Sequence, residues 1–204
     1  MDITFQPKEF VVKFAHTTIA AALALAFSGA VFAQAGTVQR DANQQQRIEQ
    51  GLQSGSLTTR EASQLERAET KVEKDQARAM RDGSLSPAEK QRLAREQNQV
   101  SREINRDTHN AATGNPNSAS SQRMQADVQR NVNQQERIEQ GVKSGSLTTR
   151  ETAKLEAGQA RDTRAEARAG ADGNVSAKEQ KRLQKKENKQ SERIHREKHD
   201  AQHK

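Results

Sequence analysis

The chain has no cysteine, no tryptophan and no tyrosine. All five phenylalanines lie in residues 1–33, so the 171 residues after Ala33 contain no aromatic side chain. Without cysteine the protein can form neither disulfide bonds nor thiolate metal sites. Without aromatic rings it cannot stack nucleic-acid bases, so we predict no sequence-specific nucleic-acid recognition.

Large apolar side chains are also scarce. Leucine, isoleucine, valine and methionine together number 21 of the 171 residues after Ala33, roughly 12% and below the ~20% under which disorder is suspected. A deep apolar pocket is therefore not expected. Neither a glycine-rich phosphate-binding loop nor a Gly-x-Ser-x-Gly motif occurs. We predict a protein that is not an enzyme and holds no cofactor.

The first 33 residues have the pattern of a secretory signal peptide. Lys8 and Lys13 precede a nearly uninterrupted apolar run over 18–33, which ends in the small-x-small sequence before Gln34. The run of about 16 residues is shorter than the roughly 20 that span a membrane. We predict cleavage after Ala33, no transmembrane anchor after processing, and a periplasmic or secreted location. A retained membrane anchor is the alternative.

The rest of the chain is a duplication. Residues 38–113 align with residues 128–203 at a constant shift of 90 positions, and 36 of the 76 aligned positions are identical. We predict a first helical repeat over 38–113, a polar linker over 114–127, and a second repeat over 128–204 with a basic, histidine-containing last helix.

Each copy is rich in helix-forming residues and has a thin apolar stripe at helical spacing. The fold class predicted is all-α, with two tandem three-helix repeats of helical hairpins in a partly elongated, coiled-coil-like arrangement. Partial disorder in isolation is the alternative that the composition leaves open. The expected helices cover residues 38–53, 59–81, 87–112, 128–143, 149–171 and 177–202.

A turn string occurs twice in each copy: glycine, one residue, an aliphatic residue, serine or threonine, two residues, then glutamate. The glycine suits a helix end that needs positive φ, and the hydroxyl and glutamate three positions apart form a capping box. The predicted turn residues are Gly55, Thr58, Glu61, Gly83, Ser86, Glu89, Gly145, Thr148, Glu151, Gly173, Ser176 and Glu179.

These turns share the second half of an EF-hand loop, most closely in Asp172–Glu179. Calcium also requires oxygen ligands at loop positions 1 and 3, which here hold Arg168 and Gly170. We therefore predict capped helical turns and no calcium binding.

Three histidines near the C-terminus are spaced by four residues, so they lie near one face of a helix: His195, His199 and His203. Two adjacent imidazoles on a helix can bind zinc, copper or nickel adventitiously. The alternative is a solvated, fraying helix end in which the histidines have no role.

Positive charge is concentrated in the second copy. Residues 34–120 carry 13 basic and 12 acidic side chains, a net charge of +1, whereas residues 121–204 carry 19 and 13, a net charge of +6. The segment 178–198 has nine lysines and arginines against four glutamates. Such a helix can lie along a polyanion in a salt-dependent manner. A merely solvated face is the alternative.

The unit R-I-E-Q-G-[LV]-x-S-G-S-L-T-T-R-E, followed by D-G-x-[LV]-S-x-x-E-x-x-R-L and I-x-R-x-x-H, spans nearly all of both copies. It resembles small exported proteobacterial proteins of unassigned function whose turns are degenerate EF-hand loops. The resemblance implies a helical repeat in an outer compartment. We predict a non-enzymatic interaction or structural protein with an unidentified protein or polyanionic partner. The alternative is a stress-type protein that binds nucleic acid, polysaccharide or lipid headgroups through its last helix.

Overall fold

The computed structural model describes residues 24–200, with side chains from residue 34 onward. Residues 1–23 of the predicted signal peptide lie outside this range, as does His203. The described chain has six helices and no strand, which confirms the all-α prediction. The helices are α1 (Ala24–Ser54), α2 (Thr59–Ala79), α3 (Pro87–Asp107), α4 (Ala119–Ser144), α5 (Thr149–Ala169) and α6 (Ala177–His199).

The first helix of each copy begins earlier than its apolar pattern predicts. Residues 119–127, which we assigned to the linker, form the first turns of α4. The Ser118 side chain accepts a hydrogen bond from the Ser121 N–H, and Met124 is fully buried. The capping hydrogen bond and the burial of Met124 stabilise additional helical turns in a segment that is polar in composition. Likewise, α1 begins at Ala24 and crosses the predicted cleavage site.

Helix α3 is shorter than predicted, because polar side chains redirect the chain after Asp107. The Asn110 amide donates to Glu61 Oε1 at 2.8 Å, and its oxygen accepts from the Ala112 N–H at 2.7 Å. The Gly114 N–H then donates to the Gly55 carbonyl at 2.8 Å. The connection between the copies is therefore packed onto the first interhelical turn.

All four turn strings have the local geometry that their residues favour. Each hydroxyl accepts a hydrogen bond from the backbone N–H of the glutamate, and each glutamate accepts from the capping residue's own N–H. The four turn glycines have φ between 74° and 98°, and no other described residue has a positive φ. Each hairpin is therefore defined by contacts within a few residues.

The two copies pack closely against each other, α1 antiparallel to α4 and α2 antiparallel to α5. Equivalent contacts occur with the copies exchanged. Arg60 donates to the Asp172 carbonyl at 3.0 Å, and its counterpart Arg150 donates to the Asp82 carbonyl at 3.3 Å. The repeats are thus related by an approximate two-fold axis that passes between α2 and α5.

The interior has apolar ends and a polar middle. One apolar cluster contains Ile48, Leu52 and Met124, and the other contains Val38, Ile138 and Val142. Between them, glutamates and glutamines are buried along α2 and α5, together with Asp162, while Asp41, Asp127 and Asn131 are buried on α1 and α4. None of the helices within residues 24–200 combines the length and hydropathy that a membrane span requires.

Candidate functional site

An open groove of about 430 Å³ lies between α5 and α6. Its floor is made of Ala165, Ala169 and Leu183, which are small or apolar. Its walls carry five cations and one carboxylate, which are Arg161, Arg164, Arg168, Glu179, Arg182 and Lys186. Consecutive turns of two adjacent helices therefore present positive charge to one shared concave surface.

The groove cations have no close counter-ions. No ion pair within 4 Å joins any of the five to a carboxylate of the described residues. Glu179, the only acid in the lining, is held in the capping box of α6, where its Oε2 accepts from the Ser176 hydroxyl and N–H. These hydrogen bonds, with a smaller contribution from the charge of Arg182, lower the pKa of Glu179.

The equivalent surface of the first copy is charge-compensated. Lys71, the counterpart of Arg161, lies 3.1 Å from Asp75 and 2.7 Å from Glu96. Asp75 also pairs with Arg78 at 3.1 Å. The second copy has Ala165 and Lys186 where the first has Asp75 and Glu96. Two substitutions thus convert a surface closed by ion pairs into an open groove with unpaired cations.

The positive surface continues from the groove across α5 onto α2. A neighbouring cleft of about 310 Å³ is lined by Lys74, Arg78, Arg81, Arg161 and Arg164. A second cleft, of about 350 Å³, adds Arg67 and shares Arg164 and Arg168. The cationic surface is therefore wider than the last helix to which the sequence pattern pointed, and its centre is α5.

The structure brings His195 and His199 together. Their ring centroids are 4.3 Å apart at an interplanar angle of 45°. His199 Nδ1 lies 2.7 Å from the His195 carbonyl oxygen, so this nitrogen is engaged by the backbone and Nε2 is the one left for a metal. The zinc, copper or nickel interaction stays a prediction.

The EF-hand-like turns use their side chains for local structure. Asp82 Oδ1 accepts from the Ser84 N–H at 2.9 Å, and Asp172 Oδ1 accepts from the Asn174 N–H at 2.8 Å. The corresponding glutamates, Glu89 and Glu179, cap helices. The oxygens that would bind calcium in an EF-hand therefore already accept backbone hydrogen bonds, which explains why the resemblance covers only half a loop.

A surface acidic group occurs where α6 meets the start of α5. One oxygen each of Glu151, Glu197 and Asp200 lies within 4.8 Å of the others. Glu151 caps α5 and Glu197 lies 3.8 Å from Lys154 Nζ, so the group takes part in local packing.

The polar middle of the protein was not predicted from the sequence. Nine carboxylates, none more than 6% exposed, each have at least one oxygen that accepts no hydrogen bond. No lysine or arginine is buried among residues 34–200. The nine buried carboxylates are Asp41, Glu66, Glu69, Glu73, Asp127, Glu156, Asp162, Glu166 and Glu187.

Burial is the main cause of their perturbed acidity, because removing a carboxylate from water disfavours its charged form. It raises the pKa of Asp41 and Asp127 to about 7, of Asp162 to about 6, and of Glu66 and Glu187 to about 8. The pKa values of the other four, Glu69, Glu73, Glu156 and Glu166, lie well above the usual range for the same reason.

The two copies distribute acids and amides differently over equivalent positions. In the first, Asp41 on α1 accepts a hydrogen bond from Gln97 on α3 at 2.7 Å. In the second, the α4 position is Asn131, which donates to Glu166 on α5 at 2.7 Å. Asn131 is the counterpart of Asp41, and Glu166 the counterpart of Gln76. Each copy therefore has a buried acid–amide contact, but it joins α1 to α3 in the first copy and α4 to α5 in the second, which helical periodicity alone does not reveal.

Comparisons with known proteins bring no further information on this site: no protein family, no curated protein and no solved structure matches the chain.

Proposed function

We propose that this protein is a non-enzymatic polyanion-binding protein, and that the groove between α5 and α6 is its binding surface. The observation that supports this most directly is the five unpaired cations around a concave surface of about 430 Å³. Arginine suits such a site because its planar guanidinium donates two parallel hydrogen bonds to phosphate, sulfate or carboxylate oxygens.

The extent of the positive surface favours a polymer over a small anion. Arg164 borders the groove and both neighbouring clefts, so a chain of regularly spaced anions can follow α5 from Arg168 towards Lys74. Binding by this mechanism releases counter-ions and weakens steeply as salt rises. Recognition is then independent of base sequence, because the lining offers charge and small apolar residues but no aromatic ring.

The proposal that the protein is not an enzyme rests on where its perturbed acids lie. Carboxylates with strongly raised pKa values are the usual candidates for general acids in a cleft. Here Glu69, Glu73, Glu156 and Glu166 are at most 1% exposed, so a substrate cannot reach them. The lining of the groove consists of arginines, one lysine, two alanines, a leucine and the capping Glu179.

The test exploits the difference between the copies. The variant Ala165→Asp/Lys186→Glu gives the second copy the acids of the first, and we expect it to lose at least tenfold in affinity for a heparin oligosaccharide or inorganic polyphosphate in low salt. The reciprocal variant, Asp75→Ala/Glu96→Lys, opens the first copy, and we expect tighter binding. Fluorescence anisotropy of a labelled polyanion, measured at several salt concentrations, reports both.

A matched control separates the groove from overall charge. Gln91→Glu/Arg95→Glu changes the net charge by the same −3 on α3, away from the groove, where both side chains are exposed. We expect at most a small loss of affinity in this variant. Equal weakening by the groove and control variants would show that only net charge matters and would overturn the proposal.

We also propose that the protein acts outside the inner membrane, as the first 33 residues indicate. Cleavage after Ala33 would leave Gln34 at the N-terminus, and this residue is already packed: its Oε1 accepts from the Thr149 hydroxyl at 2.9 Å. Processing there would therefore remove the first turns of α1 without removing a residue of the described interior. The intact mass of the exported protein tests this.

The adjacent imidazoles of His195 and His199 support a second, weaker binding activity, towards zinc, copper or nickel. Calorimetric titration of each metal into the wild type and into His195→Ala/His199→Ala tests it. Identical isotherms for the two proteins would end this proposal.

A further inference from the structure

The polar interior joins the two copies and lacks hydrogen-bond donors. The Gln135 amide of α4 lies between two carboxylates from different copies, 3.3 Å from Glu156 Oε2 and 3.5 Å from Glu73 Oε1. Glu73 Oε1 also accepts from the Thr163 hydroxyl of α5 at 3.1 Å. The other oxygens, Glu73 Oε2 and Glu156 Oε1, have no donor.

This shortage is general across the interior. Among residues 34–200, the nine carboxylates named above have oxygens without a donor, whereas only three buried side-chain nitrogens lack an acceptor, those of Gln34, Gln76 and Gln159. Buried oxygens of this kind cost free energy unless they receive hydrogen bonds. A proton on a carboxyl group supplies a donor and removes a buried charge at the same time.

The charged groups around Glu73 and Glu156 do not provide the missing positive charge. Asp41 on α1 acts on both, and Glu66 and Glu69 on α2 act on Glu73, in each case through repulsion that raises the pKa. Cations act only on others of the nine buried carboxylates. Arg40 acts on Asp41, Arg47 acts on Glu69, and Arg130 acts on Asp127 and Glu187. Asp162 is affected by Arg161, Lys186 and Arg193.

The remaining helices add acids to this environment. From α3, Glu103 acts on Glu69, and from α6, Glu187 acts on Glu166. Every helix around the nine buried carboxylates thus contributes an acidic side chain. The arginines and lysines that act on them lie at half-exposed or exposed positions.

We propose that the interface between the two repeats is a pH-dependent latch, in which Glu73, Glu156 and their buried neighbours hold the copies together as protonated acids. Each protonated carboxyl donates a hydrogen bond across α1, α2, α4 and α5. Loss of these protons places several negative charges in one dry interface and drives the copies apart. The latch centres on Glu73 and Glu156, which do not line the anion-binding groove, so either proposal can fail without the other.

The direction of the pH effect follows from proton linkage. An acid whose pKa is raised by folding binds more protons in the folded than in the unfolded protein. The stability that these acids contribute is therefore fully present below their unfolded pKa values, 3.8 for aspartate and 4.5 for glutamate, and it falls as pH rises towards 8. The loss is up to about tenfold in the unfolding equilibrium constant per pH unit for each such group. This slope is opposite to that of a protein stabilised by ion-paired carboxylates.

Two measurements test the latch. The urea midpoint of the full chain, followed by circular dichroism at pH 5, 6.5 and 8, is expected to fall steadily with pH. Unfolding by urea in weakly buffered solution near pH 6.5 is expected to release protons, on the order of two or more per molecule. Proton uptake, no proton change, or a midpoint that rises towards pH 8 would overturn the proposal.

Amide variants assign the effect to named groups. Glu73→Gln and Glu156→Gln keep the shape of the protonated acid but cannot ionise, so we expect a shallower pH slope and a higher midpoint at pH 8. Glu136→Gln, at an exposed position of α4, is the matched control and should retain the wild-type slope. An unchanged slope in Glu73→Gln/Glu156→Gln, or a slope abolished by adding calcium or magnesium, would overturn the latch.

Discussion

The Thr163 hydroxyl donates to Glu73 Oε1 at 3.1 Å, although these two residues occupy the same position in the two copies of the repeat. They meet because α2 and α5 run antiparallel, which places equivalent positions opposite each other near the approximate two-fold axis. An identical residue at both positions would face itself. Because the second copy has threonine at this position, Glu73 faces a hydrogen-bond donor and not a second carboxylate.

Thr163→Glu restores the identity of the two copies at this point and should destabilise the protein. A second acid at a buried position opposite Glu73 adds desolvation and repulsion, which we expect to lower the free energy of unfolding by roughly 2–4 kcal/mol at pH 7. The matched variant Thr163→Val only removes the hydrogen bond and should cost about 1 kcal/mol. Urea titrations of the three proteins test this, and equal losses in both variants would contradict it.

The α5–α6 contact contains a pair of compensating substitutions. A Cβ atom on Gly158 would overlap the amide of Gln190, whose Nε2 donates to the Leu155 carbonyl at 2.9 Å. The equivalent pair in the first copy is Ala68 and Val100. Removing the methyl group at one position has thus made room for a longer polar side chain at the other.

We expect Gly158→Ala alone to lower the free energy of unfolding by about 1–3 kcal/mol, because the side chain of Gln190 must move. In Gly158→Ala/Gln190→Val, which has the residue pair of the first copy, most of this loss should be recovered. A double-mutant cycle of urea midpoints measures the coupling, expected at about 1 kcal/mol or more. Additive effects of the two substitutions would show that the positions are independent.

Two turn glycines with nearly the same backbone differ in what surrounds them. Gly55 has φ 76° and Gly145 has φ 74°, so alanine at either position is strained by about 1 kcal/mol. At Gly55 the added Cβ would also lie 2.9 Å from the Gly114 carbonyl oxygen, whereas at Gly145 nothing lies within 4 Å. Gly55→Ala should therefore lower the thermal midpoint clearly more than Gly145→Ala. Equal shifts would mean that the Gly55–Gly114 contact contributes little.

The helix caps predict a second, acidic limb in the pH dependence of stability. Hydrogen bonds from the Ser176 and Ser86 hydroxyl and N–H groups lower the pKa values of Glu179 and Glu89. A carboxylate with a lowered pKa stabilises the fold above its unfolded value of 4.5, and this contribution is lost as pH falls. The contribution of the caps to the urea midpoint should therefore decrease below about pH 4.5, opposite in sign to the effect of the buried acids.

Glu179→Gln tests this limb, because glutamine keeps an acceptor oxygen for the cap but cannot be protonated. Below pH 4.5 the cap loses stability while the buried acids still gain it, so the comparison of the two proteins isolates the cap. We expect the urea midpoint of the wild type to fall relative to that of Glu179→Gln between pH 4.5 and 3. A constant difference between the two midpoints over this range would contradict the role of the cap.

The sequence was informative where structure depends on neighbouring residues. The string from Gly173 to Glu179 contains its own glycine, capping hydroxyl and capping glutamate, and the hairpin needs no distant contact to be recognised. The start of α4 was missed because its anchor, Met124, packs against Ile48 and Leu52 of the other copy. A boundary of that kind depends on a partner helix that periodicity does not identify.

The buried acids were missed for a related reason. Glu66, Glu69 and Glu73 are charged residues among helix formers, and such a pattern normally marks a solvated face. Helix α2 is instead covered on several sides, by α3, by α5 and by the α1–α4 pair. These glutamates are buried only because α2 lies at the centre of the fold. No residue within α2 indicates this position from the sequence.

The groove shows the same division. From the sequence alone come the duplication, the six helices, the four capped turns, and the excess of positive charge in the second copy, since all of these follow from local spacing and composition. The tertiary structure alone decides that Arg161, Arg164 and Lys186 share one concave surface and that Lys71, Asp75 and Glu96 neutralise each other. The physical reason is that helix capping acts over a few residues, whereas burial and charge pairing depend on which helices become neighbours.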